Sequence, residues 1–200
     1  MKANPETIAR VGVIAAAYAA CTLVVMLALG NLAWGPLQFR VSEALCVLAL
    51  FTPAAVPGLT LGCIIANVAN IALSGTGMLG MLDVVFGSLA TFAGALFTWK
   101  LRRHPLVALA GPVLANALIV PAYLPILLKG IGFYTIPFTS IALDESYPLM
   151  YLFGLVTTGL GEAVIMYVLG YPLSRSLEKT PFARRERERE REQVQMGTSR

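Results

Sequence analysis

Three carboxylates in this sequence stand where carboxylates are costly. Of eleven acidic residues, only Glu43, Asp83 and Glu162 fall in or at the ends of apolar runs. An ionisable group at membrane depth persists where a ligand, an ion or a paired charge needs it. Glu162 sits midway along its run, where a solitary carboxylate facing lipid is untenable. Near these acids lie other groups able to make directed contacts: Gln38 and Trp34 just upstream of Arg40, and Asn116 and Tyr123 in a proline-rich run. Carboxylates accept paired N–H groups, amides donate and accept, and aromatic rings cover flat solutes. That is the chemistry of recognition. Arg40 and Glu43 stand at i, i+3 and leave two readings open. Either they pair with each other as a clamp, or Arg40 donates to a ligand carbonyl while Glu43 takes its amine.

Groups suited to breaking bonds are scarce. The one histidine, His104, lies beside Arg103 in a basic segment, which leaves a histidine metal site or a catalytic triad without material. Cys21, Cys46 and Cys63 are odd in number, lie in apolar runs and form no Cys-x-x-Cys pair, so they read as packing thiols. No Gly-x-x-x-x-Gly-Lys-Ser/Thr loop occurs, so this chain does not bind ATP through a P-loop of its own. The expectation is a protein that is not an enzyme and needs neither cofactor nor metal.

The elements that must position these residues are membrane helices. Hydrophobic residues make up 57% of the chain and charged residues 13%, against about a quarter charged in soluble domains. Apolar runs predict an all-α polytopic bundle of about six spans at Ile8–Leu29, Ser42–Val56, Gly58–Leu73, Leu82–Leu101, Leu106–Leu128 and Leu149–Leu173. The second and third are short and share the break Thr52-Pro-Ala-Ala-Val-Pro57, so a re-entrant hairpin is the alternative. The first run is too long for a signal-peptide core and is kept as a span. With the N-terminus inside, every Lys and Arg except Arg40 and Lys129 falls on the cytoplasmic side, the positive-inside pattern. Both termini are then cytoplasmic, in a bacterial-type cytoplasmic membrane. The net charge of +4 follows from topology and gives no reason to invoke nucleic acid. Residues 1–178 form the transmembrane domain, and 179–200 form a charged tail.

Secondary features refine this picture. Gly12, Ala16 and Ala20 make a small-residue stripe on the first span, fit for close helix packing within the chain or against a partner. Asn67 and Asn70 share a face of the third span and read as interhelical glue or as ligand contacts. Asn116 shares its run with Pro112, Pro121, Tyr123 and Pro125, and prolines free carbonyls that need internal partners or water. Two outer loops, Gly30–Val41 and Lys129–Pro148, have the aromatics and turn formers of lids. In the tail, the alternation from Arg184 to Glu192 sets attractive i, i+3 pairs against repulsive i, i+4 pairs, so a solvated or frayed helical extension is expected, with attraction to anionic lipid or a cytoplasmic partner as the alternative.

Specific blocks carry a family resemblance. Trp34-Gly-Pro-Leu-Gln-Phe-Arg-Val-Ser-Glu43 and its continuation to Asn67, with Leu82-Asp-Val-Val-Phe-Gly-Ser-Leu-Ala-Thr91, resemble the queuosine-precursor transporter (QueT) family. The likeness runs over roughly residues 8–178. It implies a substrate-binding S component of an energy-coupling-factor (ECF) importer, served by a separate membrane scaffold subunit and two cytoplasmic ATPases. It also implies that Gly12, Ala16 and Ala20 dock on the scaffold and that the cargo is a 7-deazaguanine, such as 7-aminomethyl-7-deazaguanine or queuine. A carboxylate suits the adjacent N–H donors of such a solute, and a second one suits its amine. Asp83 and Glu162 are the candidates for these roles, Asn116 or Gln38 for the amide, Trp34 and Tyr123 for stacking. Two other readings stand beside it: an S component for another flat vitamin, and a membrane scaffold or assembly protein that transports nothing.

Overall fold

A computed structural model describes residues 5–29, 40–74, 77–126, 135, 142 and 147–198. In chain order the helices are α1 (Pro5–Leu29), α2 (Val41–Leu50), α3 (Ala55–Ser74), α4 (Gly77–Lys100), α5 (Pro105–Ala122), α6 (Tyr147–Leu177) and α7 (Pro181–Thr198). Apart from α2 and α7, each of these is long and apolar enough to cross a membrane. Large apolar side chains such as Val13, Leu27, Leu118, Leu152 and Leu160 face outward, as a bundle solvated by lipid requires. Against an expected count of about six spans, five described helices are long enough to cross, and the expected second span is the short α2.

The run of α2 explains its length. Gly58 and Gly62 of α3 lie against Val11, Ile14, Ala15 and Tyr18 of α1, so α3 rises parallel to α1. Two parallel helices so close in sequence need a return between them, and α2 supplies it. Glu43, near its start, bonds Tyr18 halfway along α1, and Phe51 at its end meets Phe182 of the terminal helix. α2 therefore begins at mid-depth and covers only the second part of a crossing. Its ten residues are wound as a 3₁₀ helix, about 20 Å long at the 2.0 Å rise of that form. It ends before Pro53, since the residue ahead of a proline is disfavoured in helical geometry.

Close crossings fix the remaining order. A Cβ at Gly62 would lie 2.7 Å from the Ala15 carbonyl, and one at Gly94 of α4 would lie 2.7 Å from Pro112 of α5. Only glycine permits these approaches. α5 and α6 run antiparallel, with Gly154 against Pro121 and Gly159 against Ala117. The prolines of α5 release backbone carbonyls, which take side-chain donors as membrane burial demands. Thr98 Oγ1 donates to Ala108 O at 3.0 Å, the carbonyl that Pro112 leaves without its helical partner. Tyr151 and Tyr147 of α6 donate to Leu118 O and Ala122 O.

The tail is helical over Pro181–Thr198, and the first turns of α7 are packed where a solvated extension was expected. Ala183 is fully buried, Phe182 meets Phe51 edge-on at 6.5 Å, and Glu186 pairs with Arg10 of α1 at 2.8 Å. Arg189 pairs with Glu6. Two apolar residues ahead of the charge run supply the anchor that charge alternation alone could not. The small-residue stripe of α1 divides as well: Ala15 and Ala19 are buried toward the bundle, whereas Gly12, Ala16 and Ala20 are exposed.

Candidate functional site

The interior of the bundle gathers ionisable groups from elements far apart in sequence. α4 provides the scaffold. Its helix widens to a π turn over Asp83–Gly87, a distortion common at functional sites, and this turn brings Asp83 and Gly87 to the inside. Asp83 Oδ1 accepts from Tyr123 Oη at 2.7 Å and lies 3.5 Å from Arg40 Nη2. Asn67 Nδ2 donates to Asp83 O at 2.8 Å, tying α3 to the same turn. Gly87 leaves room for these donors: a Cβ there would stand 3.4 Å from Arg40 Nη1, Asn67 Nδ2 and Tyr123 Oη alike. The Tyr123 ring lies over Phe86, with centroids 5.8 Å apart.

Glu43 occupies a second station. Its Oε1 accepts from Tyr18 Oη at 2.5 Å and from Thr91 Oγ1 at 3.0 Å, and its Oε2 accepts from Cys46 Sγ at 3.1 Å. Three elements thus converge on one carboxylate with no measurable exposure. Thr91 also reaches Cys63 Sγ at 3.5 Å, and that sulfur lies 4.0 Å from Arg40 Nη1. Arg40 and Glu43 are therefore joined through intermediaries. Arg40 makes an ion pair with Asp83, which the turn of α4 presents to it directly, and Glu43 is held by Tyr18 and Thr91.

The third station is on α6. Met150, Gly154, Thr158 and Glu162 follow one another every four residues along its buried face. Asn116 of α5 stands beside the Glu162 carboxyl, and Glu43 and Arg40 lie near enough to act on it electrostatically. Asn116 also donates to Pro112 O at 3.1 Å. Glu162 Oε1 and Thr158 Oγ1 have no hydrogen-bond partner among the described residues.

Of the residues singled out in the sequence, Arg40, Glu43, Asp83, Asn116, Tyr123 and Glu162 are brought into this one buried region. Trp34 and Gln38 lie outside the described residues, as does most of both expected lids. Tyr18, Thr91 and Thr158 were not anticipated, and Cys46 and Cys63, read as packing thiols, lie against Glu43, Thr91 and Arg40. Tyr18 carried a signal, since a phenol deep in an apolar run needs a partner for its hydroxyl. Among the described residues no group of His, Cys, Asp and Glu has the makings of a metal site.

An all-α bundle with lipid-facing apolar helices and a cluster of ionisable groups at its centre defines a polytopic membrane protein built around a polar interior. The profile of the QueT transporter family matches residues 8–179, and the chain belongs to that family. The match stops just before α7. No curated protein and no solved structure matches the chain.

Proposed function

We propose that this protein is the solute-binding S component of an ECF-type importer and that its cargo is a queuosine precursor of the 7-deazaguanine type. Membership of a transporter family supports the general role. The observation that carries the choice of cargo is the charge inventory of the interior: the carboxyls of Glu43, Asp83 and Glu162 share the guanidinium of Arg40. A buried excess of acidic groups is costly, and a solute bringing N–H donors and an ammonium offsets that cost.

The existing bonds favour a division of roles. Glu43 is occupied by Tyr18, Thr91 and Cys46, which suits a positioning role. Asp83 is engaged by Arg40 and Tyr123, yet both of these can also turn toward a solute. Glu162 has an oxygen open to an N–H donor, and Asn116 beside it offers an amide. The exposed stripe Gly12, Ala16, Ala20 is the surface we assign to the membrane scaffold, where small side chains allow close approach in lipid. Two cytoplasmic ATPases would then supply the coupling. The contacts of α7 with the start of α1 support a shared side for these two segments, and the distribution of Lys and Arg favours the cytoplasmic side for both.

Titration of the purified protein with 7-aminomethyl-7-deazaguanine and with queuine tests the proposal. Micromolar or tighter binding to at least one is expected. Absence of binding to both would overturn it, and binding of a different flat vitamin in a ligand panel would redirect it.

A further inference from the structure

Five threonines in the described helices share a habit that Thr158 on α6 does not. Thr22, Thr60, Thr91, Thr98 and Thr157 each hold their hydroxyl within hydrogen-bond reach of the carbonyl four residues back, on Tyr18, Val56, Gly87, Gly94 and Phe153, and Thr91 and Thr98 have Glu43 Oε1 and Ala108 O in reach as alternative acceptors. This is the usual way a helical threonine satisfies its hydroxyl. Thr158 does not. Its Oγ1 is buried, the residue is only 3% exposed, and the hydroxyl has no partner among the described residues. A buried hydroxyl left without a hydrogen bond costs stability, so the sequence bears a penalty here that valine of the same shape would avoid.

The location of Thr158 gives that penalty a use. On α6 it stands one turn before Glu162, whose Oε1 is also without a partner. Across the antiparallel pair, Glu162 is level with Asn116 and Gly154 is level with Pro121. Thr158 therefore lies level with the stretch of α5 between Asn116 and Pro121, one helical turn from the Glu162 station.

We propose that Thr158 is a ligand-contacting residue that sets specificity, its hydroxyl donating to the ring carbonyl of the bound heterocycle while Glu162 accepts the adjacent N–H. Residues at i, i+4 are separated by about 5–6 Å between Cβ atoms, and side chains converging from that spacing span neighbouring donor and acceptor positions on one ring edge. The inference rests on the 7-deazaguanine reading and adds a residue and a polarity to it. A lactam edge is required, with the carbonyl toward the extracellular end of α6 and the N–H toward its cytoplasmic end.

The experiment is calorimetric titration of wild type, Thr158→Val, Thr158→Ser and Thr157→Val with 7-aminomethyl-7-deazaguanine and with its thiocarbonyl analogue, which keeps the N–H but weakens the acceptor. Loss of one hydrogen bond corresponds to a fall in affinity of about tenfold for Thr158→Val. Thr158→Ser should stay close to wild type, and Thr157→Val should bind normally. Wild type should prefer the oxo ligand, and Thr158→Val should lose that preference. Without ligand, Thr158→Val should melt no lower than wild type, a result that a merely structural threonine would not give. Normal binding by Thr158→Val, or equal weakening by Thr158→Ser, overturns the inference and leaves the cargo assignment intact. Should Thr158→Val fail to fold, the wild-type preference for oxo over thio decides, and its absence overturns the inference. Failure of wild type to bind either ligand overturns the cargo assignment and this inference together.

Discussion

In the interior, Glu43, Asp83 and Glu162 gather around Arg40, while at the end of the bundle where the chain termini meet, Glu6 and Glu186 alternate with Arg10 and Arg189. The residue types are the same and the balance differs. At the terminal cluster each carboxylate has guanidinium neighbours and each guanidinium has carboxylates. In the interior the acids outnumber the cation, and one of them keeps an oxygen without a partner. Balanced charge close to water can be explained by packing alone. A surplus of carboxyls away from water must be met by bound protons or by donors from outside the chain. The contrast therefore separates charges that hold the fold together from charges that await a solute.

The largest expected effect comes from removing the interior cation. Arg40→Met should destabilise the protein by about 3–5 kcal/mol, the usual consequence of stranding a buried carboxylate. Thermal unfolding in detergent measures it, and adding Asp83→Asn to Arg40→Met should recover much of the loss because the stranded charge is then gone. If Arg40→Met were as stable as wild type, the interior acids would not depend on Arg40, and the contrast between the two clusters would collapse.

Glu162→Gln tests the other half of the comparison. Shape is kept while the charge is lost, so stability should hold. Affinity for 7-aminomethyl-7-deazaguanine should fall about 10- to 100-fold, equivalent to about 1.4–2.8 kcal/mol. Unchanged affinity with a lowered melting temperature would move Glu162 into the structural group beside Glu43.

How legible all this was in the sequence depends on the range of each interaction. The long spans follow from composition, since a run of about 20 apolar residues has few other outcomes. α2 was harder: Ser42–Val56 has the composition of a crossing, but its start is held at mid-depth by Tyr18, Thr91 and Asp83, partners that no local pattern names. The i, i+3 spacing of Arg40 and Glu43 invited a local pair, and no local pattern names Asp83, which reaches Arg40 through the π turn of α4. Site residues with unusual chemistry for their surroundings, such as Asp83, Asn116 and Glu162, stood out by type. Tyr18, Thr91 and Thr158 are ordinary in membrane helices, and only their partners, or the lack of them, single them out. The tail shows the same limit, because its charge run reads as solvated while Phe182 and Ala183 anchor it.

The smallest effect is expected at the terminal cluster. Glu186 is nearly buried, yet Arg10 is about a quarter exposed and Arg189 about a third, so water and salt screen the pairs. Exposed or half-exposed ion pairs contribute about 0.2–1 kcal/mol, and Glu186→Gln should cost no more than that, with the difference shrinking as salt is raised. Ligand affinity should not change, because the α7 pairs lie at Glu6 and Arg10, about two turns or more along α1 from the contacts that Tyr18 makes. The reversed pair Arg10→Glu with Glu186→Arg should not recover full stability, since Glu6 and Arg189 would then face like charges. Reversing all of Glu6, Arg10, Glu186 and Arg189 together should restore it, because the alternation and not any single pair is what the cluster preserves. A large, salt-insensitive loss from Glu186→Gln, or any change in ligand affinity, would show that the terminal cluster is coupled to the interior.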